Sequence, residues 1–219
     1  MRDLEIERRQ LVAVSVLTAI AQAAGFAKMW LTARLFGTGA ELDGYYLALV
    51  VPTLVAGVVS GALQTALFPV RARLAARGDG AAVERFERGV LAGLLVLGVF
   101  VALALVAARP WALAWLDAKA PNAAVRVAAA FALPYAAVLI PLNAVGDAIS
   151  YLLAMRDRYP VAAAAPIANA ILGATLLAAW PSGGLLNLLL GTVLGLVLQV
   201  GICLAALRRG GLAIFGRLP

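Results

Sequence analysis

Few side chains in this sequence could carry out chemistry. It contains no histidine, and its single cysteine is Cys203. A Ser–His or Cys–His catalytic pair, a metal site built from His and Cys, and a disulfide framework all lack the residues that they need. The sequence therefore predicts no catalytic residue, no metal site and no cofactor, and we expect the protein not to be an enzyme.

Two basic residues stand out because they belong to a long apolar segment near the N terminus, Lys28 and Arg34. A charge inside a membrane span is costly, so such a residue usually faces a water-filled space or a partner. The two residues are six positions apart, about 240° around a helix, so they do not share a narrow face. We interpret both as positive charges presented to an anionic substrate in a cavity that opens outward. The alternative is that Lys28 reaches out to the membrane surface.

An acidic residue, Asp147, interrupts a later apolar segment and shares a helical face with Asn143 and Tyr151 at i−4 and i+4. This face could line a cavity, hold a proton or a cation, or form a hydrogen-bond cluster between helices. Gln64 is an uncharged polar residue in another apolar segment and could serve the same purposes. Asp147, Asn143 and Gln64 are thus candidate ion-coupling or cavity residues.

The composition indicates which elements must position these side chains. Hydrophobic residues make up 64% of the 219 residues and charged residues only 13%, with a mean hydropathy of +0.97. A soluble domain of this length is about half apolar and about a quarter charged. The composition excludes an ordinary soluble enzyme, a disordered chain and a fibrous protein, and it predicts an all-α membrane protein.

Six segments are long and apolar enough to cross a bilayer as helices, which takes about 20 residues each. We predict a single six-helix transmembrane domain over residues 1–219, with spans at about 11–31, 44–70, 89–108, 125–153, 161–180 and 185–207. Pairs of glycines four residues apart, which let helices approach closely, occur at 57 and 61, 89 and 93, and 191 and 195. These pairs predict helix contacts in the second, third and sixth spans.

The distribution of basic residues predicts the orientation in the membrane. Thirteen of the 18 lysines and arginines fall in the N-terminal segment, the second and fourth connections and the C-terminal segment. Short connections rich in Lys and Arg remain in the cytoplasm, so we expect both termini to be cytoplasmic. The net charge of +7 reflects these clusters and does not indicate nucleic-acid binding.

The first connection carries a motif, Ala-Arg-Leu-Phe-Gly-Thr-Gly-Ala-Glu-Leu-Asp at residues 33–43, with Pro52 shortly after. It resembles the first-loop signature of the MurJ/MviN lipid II flippases. Upstream, residues 25–28 resemble that family's Gly-Phe-x-Arg, with Lys28 in place of Arg. Downstream, residues 60–70 resemble another family segment, with Ser60 in the position of a Glu. The resemblance runs collinearly from about Gly25 to Asn169.

The resemblance implies a fold and a function. The family belongs to the multidrug/oligosaccharidyl-lipid/polysaccharide exporter superfamily, whose members have two lobes of six helices around a central cavity. It implies that this chain is the N-terminal lobe of a flippase-type transporter in the bacterial cytoplasmic (inner) membrane. The implied substrate is a lipid-linked peptidoglycan precursor or polysaccharide intermediate, moved by alternating access. By position, Lys28, Arg34 and Asp43 match family residues implicated in substrate binding.

Two departures from the family leave a second function open. The stretch at 53–58 reads Thr-Leu-Val-Ala-Gly-Val where the family has an Arg pair, and six helices make only one lobe. We expect a second lobe to come from a second copy, or from a separate or missing C-terminal half. The alternative function is an accessory or structural membrane subunit that no longer transports. Either function implies membrane lipids as partners and no nucleic acid.

Overall fold

The computed structural model describes residues 2–111, 114 and 122–209, with the side chains of the first helix from Leu11 onward. In these ranges every regular element is helical. The elements are α1 (Arg2–Phe36), α2 (Ala40–Ala76), α3 (Gly80–Ala107), α4 (Ala123–Ala154), α5 (Tyr159–Ala179), a 3-10 turn (Pro181–Gly183) and α6 (Gly184–Arg209). Six helices are long and apolar enough to cross a membrane, so the predicted fold class is confirmed.

The helices extend beyond the predicted spans, most clearly around the basic second connection. Residues 71–88 are predicted as a polar break, but they are helical except for a short turn around Gly78. Arg and Glu favour helix formation, so low hydropathy marks the edge of the bilayer and not the end of a helix. The turn itself is set by Gly78 at φ 74° and by Asp79, whose side chain accepts a hydrogen bond from the amide of Ala82. Lys119 and Arg217, which contribute to the orientation argument, lie outside the described residues.

The centre of the lobe is α4, which packs against α2, α3 and α6. Its buried face is rich in alanine, and Ala129, Ala132 and Ala136 are completely buried. Small side chains let helix backbones approach closely, which is how helices associate in lipid. One such close approach is at Gly44 of α2, where a Cβ atom would come within 2.7 Å of the Ala129 backbone nitrogen.

Both prolines of α4 lie within one continuous helix. Because Pro134 has no backbone N–H, the carbonyl of Ala130 lacks its usual hydrogen-bond donor in the helix. The guanidinium of Arg109 donates a hydrogen bond to that carbonyl at 3.3 Å. Pro141 packs against α3 at Gly98, where a Cβ atom would come within 2.7 Å of the Pro141 Cα. The hydrogen bond from Arg109 replaces the donor that Pro134 removes, and both contacts join the C-terminal part of α3 and the residues after it to α4.

Only one of the three glycine pairs contacts another helix within the described lobe. Gly191 of α6 lies against Gly173 of α5, and Gly195 lies against Asn169. The pairs at 57 and 61 and at 89 and 93 have open space where a Cβ atom would stand. The prediction of helix contacts is therefore wrong for α2 and α3 within this lobe, because no described atom of another element lies within 4 Å of a Cβ atom at those glycines.

The first helix is attached to the lobe mainly through α5. Although α1 and α2 are consecutive, they have very little contact with each other. The path from α1 to the central helix therefore runs through α5 and α6. This arrangement decides which helices surround Lys28.

A buried ion-pair cluster joins three parts of the lobe near the α2–α3 turn. Glu87 of α3 is completely buried, and its carboxylate accepts a hydrogen bond from Arg71 of α2 at 2.7 Å. Arg156, just after α4, pairs with the other carboxylate oxygen. Two cations on one buried carboxylate hold α2, α3 and the α4–α5 turn at one end of the bundle.

Candidate functional site

The side chain of Lys28 points into the lobe and not toward its outer surface. Its aliphatic stem crosses Gly173 of α5, where an added Cβ atom would come within 2.8 Å of the lysine Cε and 2.9 Å of Nζ. Its ammonium group donates a hydrogen bond to the Thr192 hydroxyl of α6 at 3.5 Å. The absence of a side chain at residue 173 is what makes room for this path.

The acceptor of this hydrogen bond, Thr192, has a fixed orientation. Its hydroxyl donates to the Leu188 carbonyl at 2.9 Å, so its oxygen can accept from two further donors. One is Lys28, and the other is the phenol of Tyr45, whose oxygen lies 3.0 Å away. Residues from α1, α2 and α6 thus meet at one hydroxyl oxygen.

No described carboxylate forms an ion pair with Lys28. Its hydrogen-bond partner is a neutral hydroxyl, which leaves the positive charge of the ammonium uncompensated. A charge at membrane depth without a counter-ion is costly unless water or an anion can reach it. The arrangement therefore suits a site that accepts an anionic group.

Lys28 also lines a cavity of about 400 Å³ between α1 and α5. Its polar lining comes from Thr18, Gln22, Lys28 and Asn169. The Asn169 amide nitrogen donates to Gln199 of α6 at 2.9 Å, whereas its buried Oδ1 atom has no partner among the described residues. One cation and several neutral polar groups thus face a space large enough for water or a polar head group.

The other two predicted substrate-binding residues lie outside this cavity. The guanidinium of Arg34 stacks on Trp30 of the same helix, 5.4 Å from the ring centroid, and is exposed. This is a cation–π contact at the end of α1. Asp43 is exposed in the first turn of α2. The structure does not bring Arg34 or Asp43 to Lys28. Arg34 is kept away because it lies on a different face of α1.

A second polar cluster joins α2 and α4 next to Asp147, which is partly buried and lies one helical turn before Tyr151. The Ser60 hydroxyl lies 2.8 Å from the Tyr151 phenol, which accepts a hydrogen bond from the Gln64 amide at 2.6 Å. The structure thus brings Gln64 to Tyr151, which shares the predicted polar face of α4 with Asp147. Asn143 stays on the same helix without a side-chain hydrogen bond in the described structure.

Several residues of these sites were not predicted from the sequence. Tyr45 lies just after the first-connection motif, and Thr192 lies between Gly191 and Gly195. The motif and the glycine pair mark the right segments, but neither indicates that the two hydroxyls meet. Glu87 gave no signal, because Arg85 and Arg88 flank it in a polar stretch of the sequence. Among the described residues, no cluster of His, Cys, Asp or Glu could hold a metal ion.

A comparison with protein families identifies one match over most of the chain. The family model of the lipid II flippase MurJ matches residues 32–218. The match begins within α1, four residues after Lys28, and includes Arg34, Asp43, and Ser60 and Gln64 of α2.

Proposed function

Since this chain belongs to the MurJ lipid II flippase family, we propose that it forms one lobe of a transporter that moves an anionic lipid-linked glycan across the membrane. Members of this family are lipid II flippases, and the six apolar helices agree with a multi-pass protein of the inner membrane. The substrate class is a lipid-linked peptidoglycan precursor or a related polysaccharide intermediate. The chain acts as a transporter and not as an enzyme.

The observation that carries the proposal is the uncompensated ammonium of Lys28 inside the lobe. It lies beside a cavity whose other polar groups, Thr18, Gln22 and Asn169, are neutral. An anionic pyrophosphate attracts such a cation, and the low local dielectric strengthens the attraction. Arg34 and Asp43, exposed at the end of the bundle where α1 ends and α2 begins, are proposed to contact the substrate on its way in or out.

Alternating access requires a second lobe, since a cavity between lobes needs two of them. We propose that the second lobe comes from another copy, a separate chain or a continuation of this chain. Exposed polar groups at membrane depth on α2, such as Gln64 and Thr65, support this arrangement. Polar side chains at this depth are unfavourable when they face lipid but not when they face a water-filled cavity.

The test of the proposal is head-group binding by purified protein in detergent, with a short-chain lipid II analogue as the probe. Lys28→Met keeps the length of the side chain and removes the charge, so binding should weaken at least tenfold, about 1.4 kcal/mol. Lys28→Arg keeps the charge and is the matched control, which should retain most of the affinity. Equal affinity in the wild type and Lys28→Met would refute the cationic cavity.

The stretch Thr53–Val58, which lacks the family's Arg pair, favours one other function, that of an accessory subunit without transport. Complementation of a flippase-depleted strain distinguishes the two functions. Rescue by the wild type but not by Lys28→Met supports transport through this site. Failure of a well-expressed wild type, supplied with its second lobe, supports the accessory function.

A further inference from the structure

An apolar groove runs along the surface of the lobe between α2 and α3. Its volume is about 340 Å³, and every residue that lines it is hydrophobic. The α2 side is a stripe from Val59 to Val70, and the α3 side is a stripe from Phe86 to Leu97. The two helices contact each other far less than either contacts α4, which leaves the space between them. Ala66 and Leu97 are exposed, so the groove is open to the surrounding lipid.

The length of the groove matches the depth of one leaflet of a bilayer. The stripe from Val59 to Val70 rises about 16 Å along the axis of α2, at 1.5 Å per residue. The hydrocarbon core is about 30 Å thick, so each leaflet contributes about 15 Å of it. The groove therefore has the length that an acyl chain of a single leaflet can fill.

Basic residues continue the α2 stripe beyond the end of the groove. Arg73 and Arg77 follow Val70 at i+3 and i+7, which places them on the same face of the helix. They lie about 4 and 10 Å beyond Val70 along the axis, and the head-group layer adds roughly 5–8 Å to each side of the hydrocarbon core. Both side chains are exposed. One face of α2 thus changes from apolar to cationic where a phospholipid changes from acyl chain to head group.

The two arginines retain hydrogen-bond donors for an anion. The Nε atom of Arg73 donates to the Pro69 carbonyl at 3.2 Å, which leaves the four N–H donors of the two terminal nitrogens. Arg77 forms no ion pair and no side-chain hydrogen bond with the described residues. The planar fork of a guanidinium suits the oxygens of a phosphate group, to which it can donate two parallel bonds.

The acidic residues near the end of the groove have other partners. Glu87 accepts from two arginines, and Glu84 lies 3.9 Å from Arg88. Asp79 accepts a hydrogen bond from the Ala82 amide. The whole second connection carries five arginines and three acidic residues. The cationic end of the groove is therefore complementary in charge to an anionic head group.

We propose that this groove binds one phospholipid with a monoanionic phosphodiester head group. One acyl chain lies between α2 and α3, and the phosphate is bound by Arg73 and Arg77. The bound chain fills the space that the two helices leave open and so connects them through lipid. Under the predicted orientation the lipid belongs to the cytoplasmic leaflet. The groove is separate from the cavity at Lys28, which lies between α1 and α5, so this proposal does not depend on the proposed function.

The first experiment is native mass spectrometry of the purified protein in detergent. Phosphatidylglycerol and phosphatidylcholine with identical acyl chains are the probes, since the first head group is anionic and the second has no net charge. The wild type should retain one phosphatidylglycerol molecule, with an affinity at least tenfold higher than for phosphatidylcholine. Arg77→Gln should weaken phosphatidylglycerol binding at least threefold. Arg85→Gln is the matched control, because it removes an exposed arginine about 100° around α3 from Phe86, and it should leave binding unchanged.

A second pair of variants tests the groove and keeps both arginines. Ala66→Phe places a ring in the groove at an exposed position, so the protein should fold but lose the retained lipid. Ala92→Phe makes the same change at an exposed alanine of α3 outside the lining, and it should bind lipid normally. Soluble glycerol phosphate, which has the phosphate but no acyl chain, should not displace the lipid.

Four results would overturn the proposal. They are equal affinity for the two lipids, an unchanged preference in Arg77→Gln, retention of the lipid by Ala66→Phe, and displacement of the lipid by glycerol phosphate. Release of the lipid when the protein dimerises would also overturn it, because a second copy would then fill the groove. All of these measurements are made without a lipid-linked glycan, so their failure leaves the test of Lys28 unaffected.

Discussion

Glu87, which is buried, and Lys28, which is partly buried, have opposite kinds of partners. Glu87 is surrounded by two arginines and is neutralised within the protein. The ammonium group of Lys28 is hydrogen-bonded to the neutral hydroxyl of Thr192, which does not neutralise its positive charge. The first arrangement holds helices together, and the second leaves a cation able to bind something else. The structural charge of Glu87 and the proposed substrate-binding charge of Lys28 thus differ in the partners that each one has.

The path of Lys28 depends on the missing side chain at Gly173. Gly173→Ala would place a Cβ atom 2.8 Å from the lysine Cε, and the flexible end of the lysine, not the backbone, would move. We expect the helix to form normally but the affinity for the lipid II analogue to fall about tenfold, or ~1.4 kcal/mol. The measurement is the same binding titration as for Lys28→Met.

The control for this substitution is Gly57→Ala, at a glycine with open space around it. It makes the same chemical change in a helix of the same lobe and should leave both affinity and apparent Tm near the wild-type values. If Gly173→Ala also bound normally, the ammonium position seen here would not be needed for binding.

At the level of the helices, the Glu87 cluster should be the main stabiliser of the α2–α3 end. Glu87→Gln keeps the shape but removes the charge between two cations, and removing one partner of a buried pair costs about 3–5 kcal/mol. Arg71 and Arg156 retain 19% and 18% side-chain exposure, so partial hydration should hold the cost near the lower limit. The apparent Tm in detergent should therefore fall by several degrees.

Glu84→Gln is the matched control for this prediction, since it lies one helical turn earlier on the same helix. Its carboxylate is 43% exposed and lies 3.9 Å from Arg88. Exposed pairs of this kind contribute at most about 0.5 kcal/mol. Equal effects of the two substitutions would show that the buried cluster adds no particular stability.

The elements were largely predictable from hydropathy, whereas their partners were not. Each of the six apolar runs matches one helix, because a bilayer demands about 20 apolar residues whatever the helix packs against. The pairing of α1 with α5 and not with α2 has no counterpart in the sequence pattern. The same holds for the meeting of Tyr45 with Thr192, which depends on how three helices are arranged. Gln64 and Tyr151 could be named individually, but the hydrogen bonds that join Ser60 and Gln64 of α2 to Tyr151 of α4 could not be predicted.

For the whole molecule, the orientation in the membrane follows from charge and can be tested directly. Cys203 is the only cysteine and is buried, so a Cys203→Ala background allows single reporter cysteines. Ala81→Cys at the start of α3 should react with a membrane-impermeant maleimide only after cells are opened. Thr38→Cys in the α1–α2 turn should react in intact cells, because basic connections stay in the cytoplasm. The reverse labelling pattern would invert the predicted topology.

The pairing of α1 with α5 has a consequence for how the protein is made. Lys28 and the hydroxyl that receives it are 164 residues apart in the chain. During synthesis, the first helix must therefore enter the bilayer while the helices that will enclose its ammonium group have not yet left the ribosome. Until they arrive, the lysine needs a temporary polar neighbour, which the insertion machinery or the lipid surface can supply. Assembly of this lobe is thus completed late, when its last helices are inserted and dock onto its first.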